Sequence, residues 1–280
     1  MIYFSPAKIN LGLQILARRA DGYHNIRSVM HPAGLCDILE ISSLPSSVTD
    51  LEFSQSGIRF EGDMEDNLCM RAWKLFREES WLPPIQMHLH KQIPVGAGLG
   101  GGSSNASTTL LGLNALADHP LSANRLSDLA ANLGSDCPFF LDPQTMLMEG
   151  RGEILTPLLL DMEGIYLVLL FPEIHISTQE AYAGVIPAHP QFLLQESIKK
   201  PLNKWKGRIE NDFEKSVFKN HPLLGSLKKA FYESGALYAS LSGSGSSLYG
   251  LFREQPSLPE DLNKYIIWEG PIQTQAKDAP

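Results

Sequence analysis

The chain has 280 residues, 43% of them hydrophobic and 19% charged, enough apolar material for a sizeable core and too much for a disordered polymer. Its formal net charge of −8 argues against a nucleic-acid binder, which needs broad basic surfaces, yet leaves room for a small anion held in a locally built pocket. No apolar run approaches the roughly 20 residues of a membrane-spanning helix, and the three scattered cysteines, Cys36, Cys69 and Cys137, suit a reducing cytoplasm better than a disulfide framework.

The first residues, Met1 to Pro6, carry no basic region followed by an apolar stretch, so they read as the start of a strand and not as a signal peptide. Ile9, Leu11, Leu13 and Ile15 alternate with Lys8, Asn10, Gly12 and Gln14, the period-two pattern of a half-buried strand. Lys8 and Asn10 therefore share its polar face. Asp21-Gly22 is a hairpin signal; a second extended stretch follows it, and Leu35 to Ile41 predicts a third strand. Ser43 to Asp50, rich in Ser and interrupted by Pro45, reads as a loop.

Asp66-Asn67 predicts the cap of a helix with Leu68, Ala72, Leu75 and Phe76 on one face. Pro83-Pro84 ends that region and Ile85 to His90 predicts a strand. Next come Pro94-Val95-Gly96-Ala97-Gly98-Leu99-Gly100-Gly101-Gly102-Ser103-Ser104-Asn105 and a helix whose buried face carries Ala106, Leu110, Leu113 and Ala117. Ser122 predicts a further cap, with Leu126, Leu129, Ala130 and Leu133 inward and Gly134 as the stop. Ile165 to Phe171 reads as a buried strand. A domain boundary is placed just before it, giving residues 1–156 and 157–280. Ala183 to Leu202 follows no clear pattern. Helices are expected at Asn211 to Phe218 and Leu223 to Ser234, and two short strands should flank Ser242 to Ser247. Gly270 to Pro280 reads as a mobile tail. No internal repeat is present.

The Gly96 to Ser104 loop is the most informative stretch. Glycines let the backbone approach a ligand closely, and the helix that follows offers free N–H groups and a positive dipole end to an anion. A polyphosphate cradle fits this pattern better than a flexible connector, although no Lys-Ser or Lys-Thr pair makes it a Walker A motif. Asp136, between Gly134 and Pro138, can cap the turn that follows or take a hydroxyl proton during phosphoryl transfer. Lys8 is the candidate basic partner, or else a snorkelling surface lysine. Gly243 and Ser244, in the Ser/Gly run, mark a second close backbone approach or a plain hairpin. His88 and His90 share a strand face, but without a third ligand they make a poor zinc site.

In order and spacing these segments resemble the galactokinase, homoserine kinase, mevalonate kinase and phosphomevalonate kinase (GHMP) superfamily. Its three signatures stand at Pro6 to Leu11, Pro94 to Asn105 and Leu241 to Ser247. Within it, Arg19 to His24, Glu65 to Leu68, Gly98 to Asn105, Leu133 to Phe139 and Gly150 to Leu155 resemble the diphosphocytidyl-methylerythritol kinases. The resemblance runs from about Ser5 to Phe252 and implies an α/β (α+β) protein: an N-terminal nucleotide domain like the second domain of ribosomal protein S5, and a ferredoxin-like C-terminal domain. It implies transfer of the ATP γ-phosphoryl group to the 2-hydroxyl of 4-diphosphocytidyl-2-C-methyl-D-erythritol, on the non-mevalonate route to isoprenoid precursors.

On that resemblance Asp136 is the base and Lys8 stabilises the forming alkoxide. Asn10 holds the reacting end of the substrate, near Gly243 and Ser244. Gly98, Leu99, Gly100, Gly101, Gly102, Ser103 and Ser104 cradle ATP, with Pro94, Gly96, Lys91, Asn67 and Asn105 as further ATP contacts. Tyr23 stacks on cytosine, His24 bonds its polar edge, and Tyr182, at a position often Phe, closes the other side. Mg2+ is implied, with no ligands assigned. Cys137 departs from the Val common in relatives. The partners implied are small molecules, with neither nucleic acid nor membrane; the oligomeric state is not implied. Two rivals stay open: a superfamily kinase acting on homoserine or a mevalonate-type alcohol, and a nucleotide-binding module without turnover. Tyr23-His24 favours a nucleobase over the first. Keeping both Lys8 and Asp136 disfavours the second.

Overall fold

The period-two pattern of the first strand extends well beyond the residues that announce it. In a computed structural model describing residues 1–44, 49–59 and 63–272, β1 runs Ile2–Arg18 and β2 runs His24–Ser43. The expected second and third strands are thus one strand. The strand continues through Pro32, Ala33 and Gly34, and the Trp268 ring occupies the space a Gly34 side chain would need. Part of the Ser43 to Asp50 loop, residues 45–48, lies outside the described residues, as do 273–280 of the expected tail. Gly270, expected to open that tail, is instead part of a strand.

The chain divides into two compact units built from interleaved stretches, Met1–Ala7, Leu35–Val95 and Gly100–Pro143 in the first, and Lys8–Gly34, Gly96–Leu99 and Gln144–Pro280 in the second. In the first, β3 (Leu51–Gly57) runs parallel to β4 (Ile85–Lys91), which pairs antiparallel with Ile38 to Ser43 of β2. Three helices cover this sheet: α1 (Leu68–Glu79), α2 (Gly101–Leu116) and α3 (Ala123–Leu133). The caps stand where the sequence puts them. Asn67 Oδ1 accepts from Cys69 N–H and Ser122 Oγ from Arg125 N–H, each removing an unsatisfied helix donor. Phe76, Leu110, Leu113, Leu126 and Leu129 meet Leu39, Ile41, Met87 and Leu89 in one core. Burial of such side chains contributes about 1.5–3 kcal/mol each. Gly112 permits the close approach, since a Cβ there would lie 2.5 Å from Ile41 Cδ1.

In the second unit, Ser28 to Met30 of β2 pair with β5 (Met146–Glu149), which forms a hairpin with β6 (Ile154–Pro157). A separate four-stranded antiparallel sheet has the order β10-β7-β9-β8, from β7 (Tyr166–Leu170), β8 (Tyr238–Leu241), β9 (Leu248–Phe252) and β10 (Ile266–Pro271). Its helical segments are α4 (Thr178–Ala183), α5 (Leu194–Ser197), α6 (Glu214–Asn220) and α7 (Pro222–Glu233). The patternless stretch from Ala183 to Leu202 contains α5, and its buried Leu194 packs beside Gly12 of β1. Helix α6 begins three residues later than expected, because Asn211 and Asp212 bond to other elements instead of starting a helix.

Candidate active site

Lys8 and Asn10 do share one face of β1, and that face is buried: Lys8 is 4% exposed and Asn10 1%. The snorkelling reading of Lys8 fails on this point. Its ammonium donates to Asn10 Oδ1 at 2.5 Å, Asn10 Nδ2 donates to Ser28 Oγ at 2.8 Å, and Ser28 Oγ donates to the Gly12 carbonyl at 2.6 Å. The Tyr249 hydroxyl donates to the Asn10 carbonyl at 2.8 Å. Every polar group of the Asn10 side chain is therefore engaged, which fixes its rotamer.

Two glycine-rich loops close on this pair in the second unit. The Lys8 N–H donates to the Leu99 carbonyl at 2.9 Å, and Ser242 Oγ donates to the Gly98 carbonyl at 2.9 Å. Gly98 has φ +78°, and a Cβ there would stand 2.1 Å from the Ser242 carbonyl oxygen. Glycine is required twice over, by conformation and by approach. A Cβ on Gly243 would lie 3.4 Å from Lys8 Nζ and 3.5 Å from Asn10 Oδ1, so this backbone borders the polar face. Ser244 is half-buried beside it. Gly96, exposed, and Gly98 lead to Gly100, which caps α2 in the left-handed conformation. The first turn of α2, Gly101, Gly102 and Ser103, thus presents backbone donors with no capping side chain. Leu99 and Pro94 are buried.

In the first unit, Lys91 is held beneath that turn. Its ammonium donates to Asp37 Oδ2 at 2.6 Å and to Asn105 Oδ1 at 3.2 Å, and Asn105 Nδ2 donates to Asp37 Oδ2 at 2.9 Å. Asp37 Oδ1 accepts from the N–H groups of Gln92 and Ile93 at 2.6 and 2.8 Å. Asp37 was not singled out in the sequence, but a signal existed. It shares strand parity with Leu35, Leu39 and Ile41, so a carboxylate falls on an otherwise apolar buried row. Asn67, expected at ATP, is engaged as the α1 cap, with its amide 3.4 Å from Gln55 Oε1.

Asp136 stands before the 3-10 turn Cys137–Leu141, and its side chain makes no capping bond there. Capping does not account for it. The adjacent Cys137 is fully buried, and burial, with the Asp136 charge adding to it, pushes the thiol up to about 11. It packs as a neutral group. His88 and His90 bond to Ser54 and Ser56, and no cluster of three His, Cys, Asp or Glu side chains suited to a metal occurs among the described residues.

The aromatic residues lie in the second unit. Tyr23 is 59% exposed, with the Arg151 guanidinium 5.1 Å from its ring centroid. His24 stacks on Tyr182 at 4.7 Å with an interplanar angle of 18°, and the Phe213 ring meets Tyr182 edge-on at 4.9 Å.

The models of the GHMP kinases N terminal domain and the GHMP kinases C terminal domain match residues 67–142 and 194–265. A 4-diphosphocytidyl-2-C-methyl-D-erythritol kinase of Bacteroides thetaiotaomicron is 46% identical, covering 93% of this chain and 95% of its own. One from Azobacteroides pseudotrichonymphae is 48% identical over 91% and 94%. The chain belongs to the 4-diphosphocytidyl-2-C-methyl-D-erythritol kinase family. A crystal structure of 4-(cytidine 5'-diphospho)-2C-methyl-D-erythritol kinase superposes with a TM-score of 0.77 at 33% identity, covering 90% of each chain. The chain accordingly has the α/β GHMP kinase fold and is an ATP-dependent kinase. No helix among the described residues is long and apolar enough to cross a membrane.

Proposed function

We propose that this chain transfers the γ-phosphoryl group of ATP to the 2-hydroxyl of 4-diphosphocytidyl-2-C-methyl-D-erythritol, in the non-mevalonate synthesis of isoprenoid precursors. Asp136 takes the hydroxyl proton, and Lys8 stabilises charge on the alkoxide and the phosphoryl oxygens in flight. Asn10, locked by Ser28, holds the reacting end of the substrate against Gly243 and Ser244. The amides from Gly98 to Ser104 receive the ATP phosphates, while Lys91, Asn105 and Asn67 support the loop and the helices around it. Pro94 and Gly96 shape the approach to that loop. Tyr23 stacks on cytosine, His24 bonds its edge, and Tyr182, stacked on His24, closes the other side of the site. On this reading residues 1–156 form the ATP-binding domain and 157–280 the substrate-binding domain, with Asn10, Tyr23 and His24 lent to the substrate by the first. The three cysteines, none of them in a disulfide, suit a cytoplasmic enzyme.

The observation that carries this reading is Lys8, a buried cation with its ammonium held by Asn10 and bordered by the backbone of Gly243. Burying a cation is costly, and a fold retains one where it serves as partner or catalyst. Mg2+, if bound, would be carried mainly on phosphate oxygens. Ser104 Oγ, fully buried in the first turn of α2 and without a hydrogen-bond partner, is the protein oxygen placed to join its shell. Bound there, the ion would neutralise charge on the β- and γ-phosphates.

The test is ADP release from the purified protein with ATP and Mg2+, offering the diphosphocytidyl alcohol, homoserine and mevalonate separately. Release is expected with the first alone and should stop on addition of EDTA. Comparable release with homoserine or mevalonate, or none with the diphosphocytidyl alcohol, would overturn the assignment.

A further inference from the structure

We infer that Asn211 is a positioning residue for phosphoryl transfer: it fixes the Gly243 backbone against Lys8 and Asn10, from a segment far from either glycine loop in sequence. The inference rests on the proposed reaction. Asn211 is 2% exposed, and its whole carboxamide is used. Nδ2 donates to the Leu241 carbonyl at 2.9 Å and to the Gly243 carbonyl at 2.8 Å, while Oδ1 accepts from the Phe213 N–H at 3.1 Å. One amide group thus ties together the last residue of β8 and the second residue of the loop after it.

The segment holding Asn211 is itself anchored to β1, the strand that carries Lys8 and Asn10. Leu13 N–H donates to the Glu210 carbonyl, Asp212 N–H donates to the Leu13 carbonyl, both at 2.9 Å, and Asp212 Oδ2 accepts from Ile15 N–H at 2.7 Å. Gly12 makes room for it, because a Cβ there would lie 2.5 Å from Ile209 Cγ2. Glu214 adds a second tie: Oε1 accepts from Leu241 N–H and Ser240 Oγ, both at 2.9 Å, and Oε2 accepts from Lys228. Residues 210–214 therefore bridge the catalytic strand and the loop whose glycine stands 3.4 Å, by its Cβ position, from Lys8 Nζ. A buried amide nitrogen that serves two carbonyls is costly to leave unmatched, and small displacements at a reacting centre lower the rate steeply.

Asn211→Asp is the decisive variant. It is isosteric and keeps the acceptor for Phe213, but sets a carboxylate oxygen against two carbonyls. The expected result is a kcat lower by about 10- to 100-fold, with the KM for ATP within about twofold of wild type. Val217→Ala, which opens a cavity on the inner side of α6 without touching the loop, is the control for simple destabilisation. It should lower the melting temperature and leave kcat within about twofold. If Asn211→Asp does not fold, Glu214→Ala releases the end of β8, the strand that leads into that loop, and should lower kcat in the same selective way. A folded Asn211→Asp enzyme with near-wild-type kcat, or a kcat loss that Val217→Ala reproduces, overturns the inference. Should the wild-type protein itself fail to turn over the diphosphocytidyl alcohol, the reading of function falls, and that outcome is separately visible.

Discussion

The second unit presents two polar regions close together in sequence and built in opposite ways. Lys8 and Asn10 sit on β1, nearly inaccessible, with both the oxygen and the nitrogen of the Asn10 carboxamide hydrogen-bonded. Tyr23 sits in the turn after the same strand, largely exposed, with its backbone tied by the Arg19 N–H to Tyr23 carbonyl bond at 2.8 Å and its ring touched by an exposed arginine. On the proposed function the contrast separates two tasks. Groups that meet developing charge gain most from being held in place before substrate arrives, because no reorganisation is then needed during the reaction. A ring that stacks on a nucleobase gains from staying open, since the base itself supplies the burial.

The comparison can be broken at either end. Lys8→Met keeps the length of the side chain and removes its charge. It should lower kcat by about 10²- to 10³-fold with little change in the cytidine substrate's KM, measured by steady-state ADP release. A loss confined to KM would place Lys8 among the binding groups. Tyr23→Ala should act the other way, raising the KM for the diphosphocytidyl alcohol by about 10-fold while leaving that for ATP and the kcat near wild type. Equal losses for both substrates would remove Tyr23 from the cytosine stack.

Much of this arrangement is legible in the sequence where local rules decide. The alternation around Ile9 to Ile15 places Lys8 with Asn10, and Asn67 and Ser122 mark their helices because each caps donors within three residues of itself. The glycine loop announces its positive-φ positions at Gly96, Gly98 and Gly100. What escapes is decided by partners distant along the chain. Asn211, 32 residues from Gly243, looks like an ordinary helix start, and only the fold shows its amide turned to that loop. Asp37 is joined to Lys91 across 54 residues. The continuity of β2 through Pro32 and Gly34 is likewise a tertiary result, since local chemistry there favours a break. The resemblance sets Tyr182 and His24 around one base, but their direct stacking is visible only in the fold.

The central claim is that Asp136 is the base whose proton transfer Lys8 assists, and Asp136→Asn tests it most directly. The variant should be compared with wild type by rapid-quench turnover and, separately, by calorimetric titration of the diphosphocytidyl alcohol. The account predicts a turnover rate lower by about 10²-fold or more with unchanged affinity for the alcohol. Turnover close to wild type in a variant that still binds would contradict it.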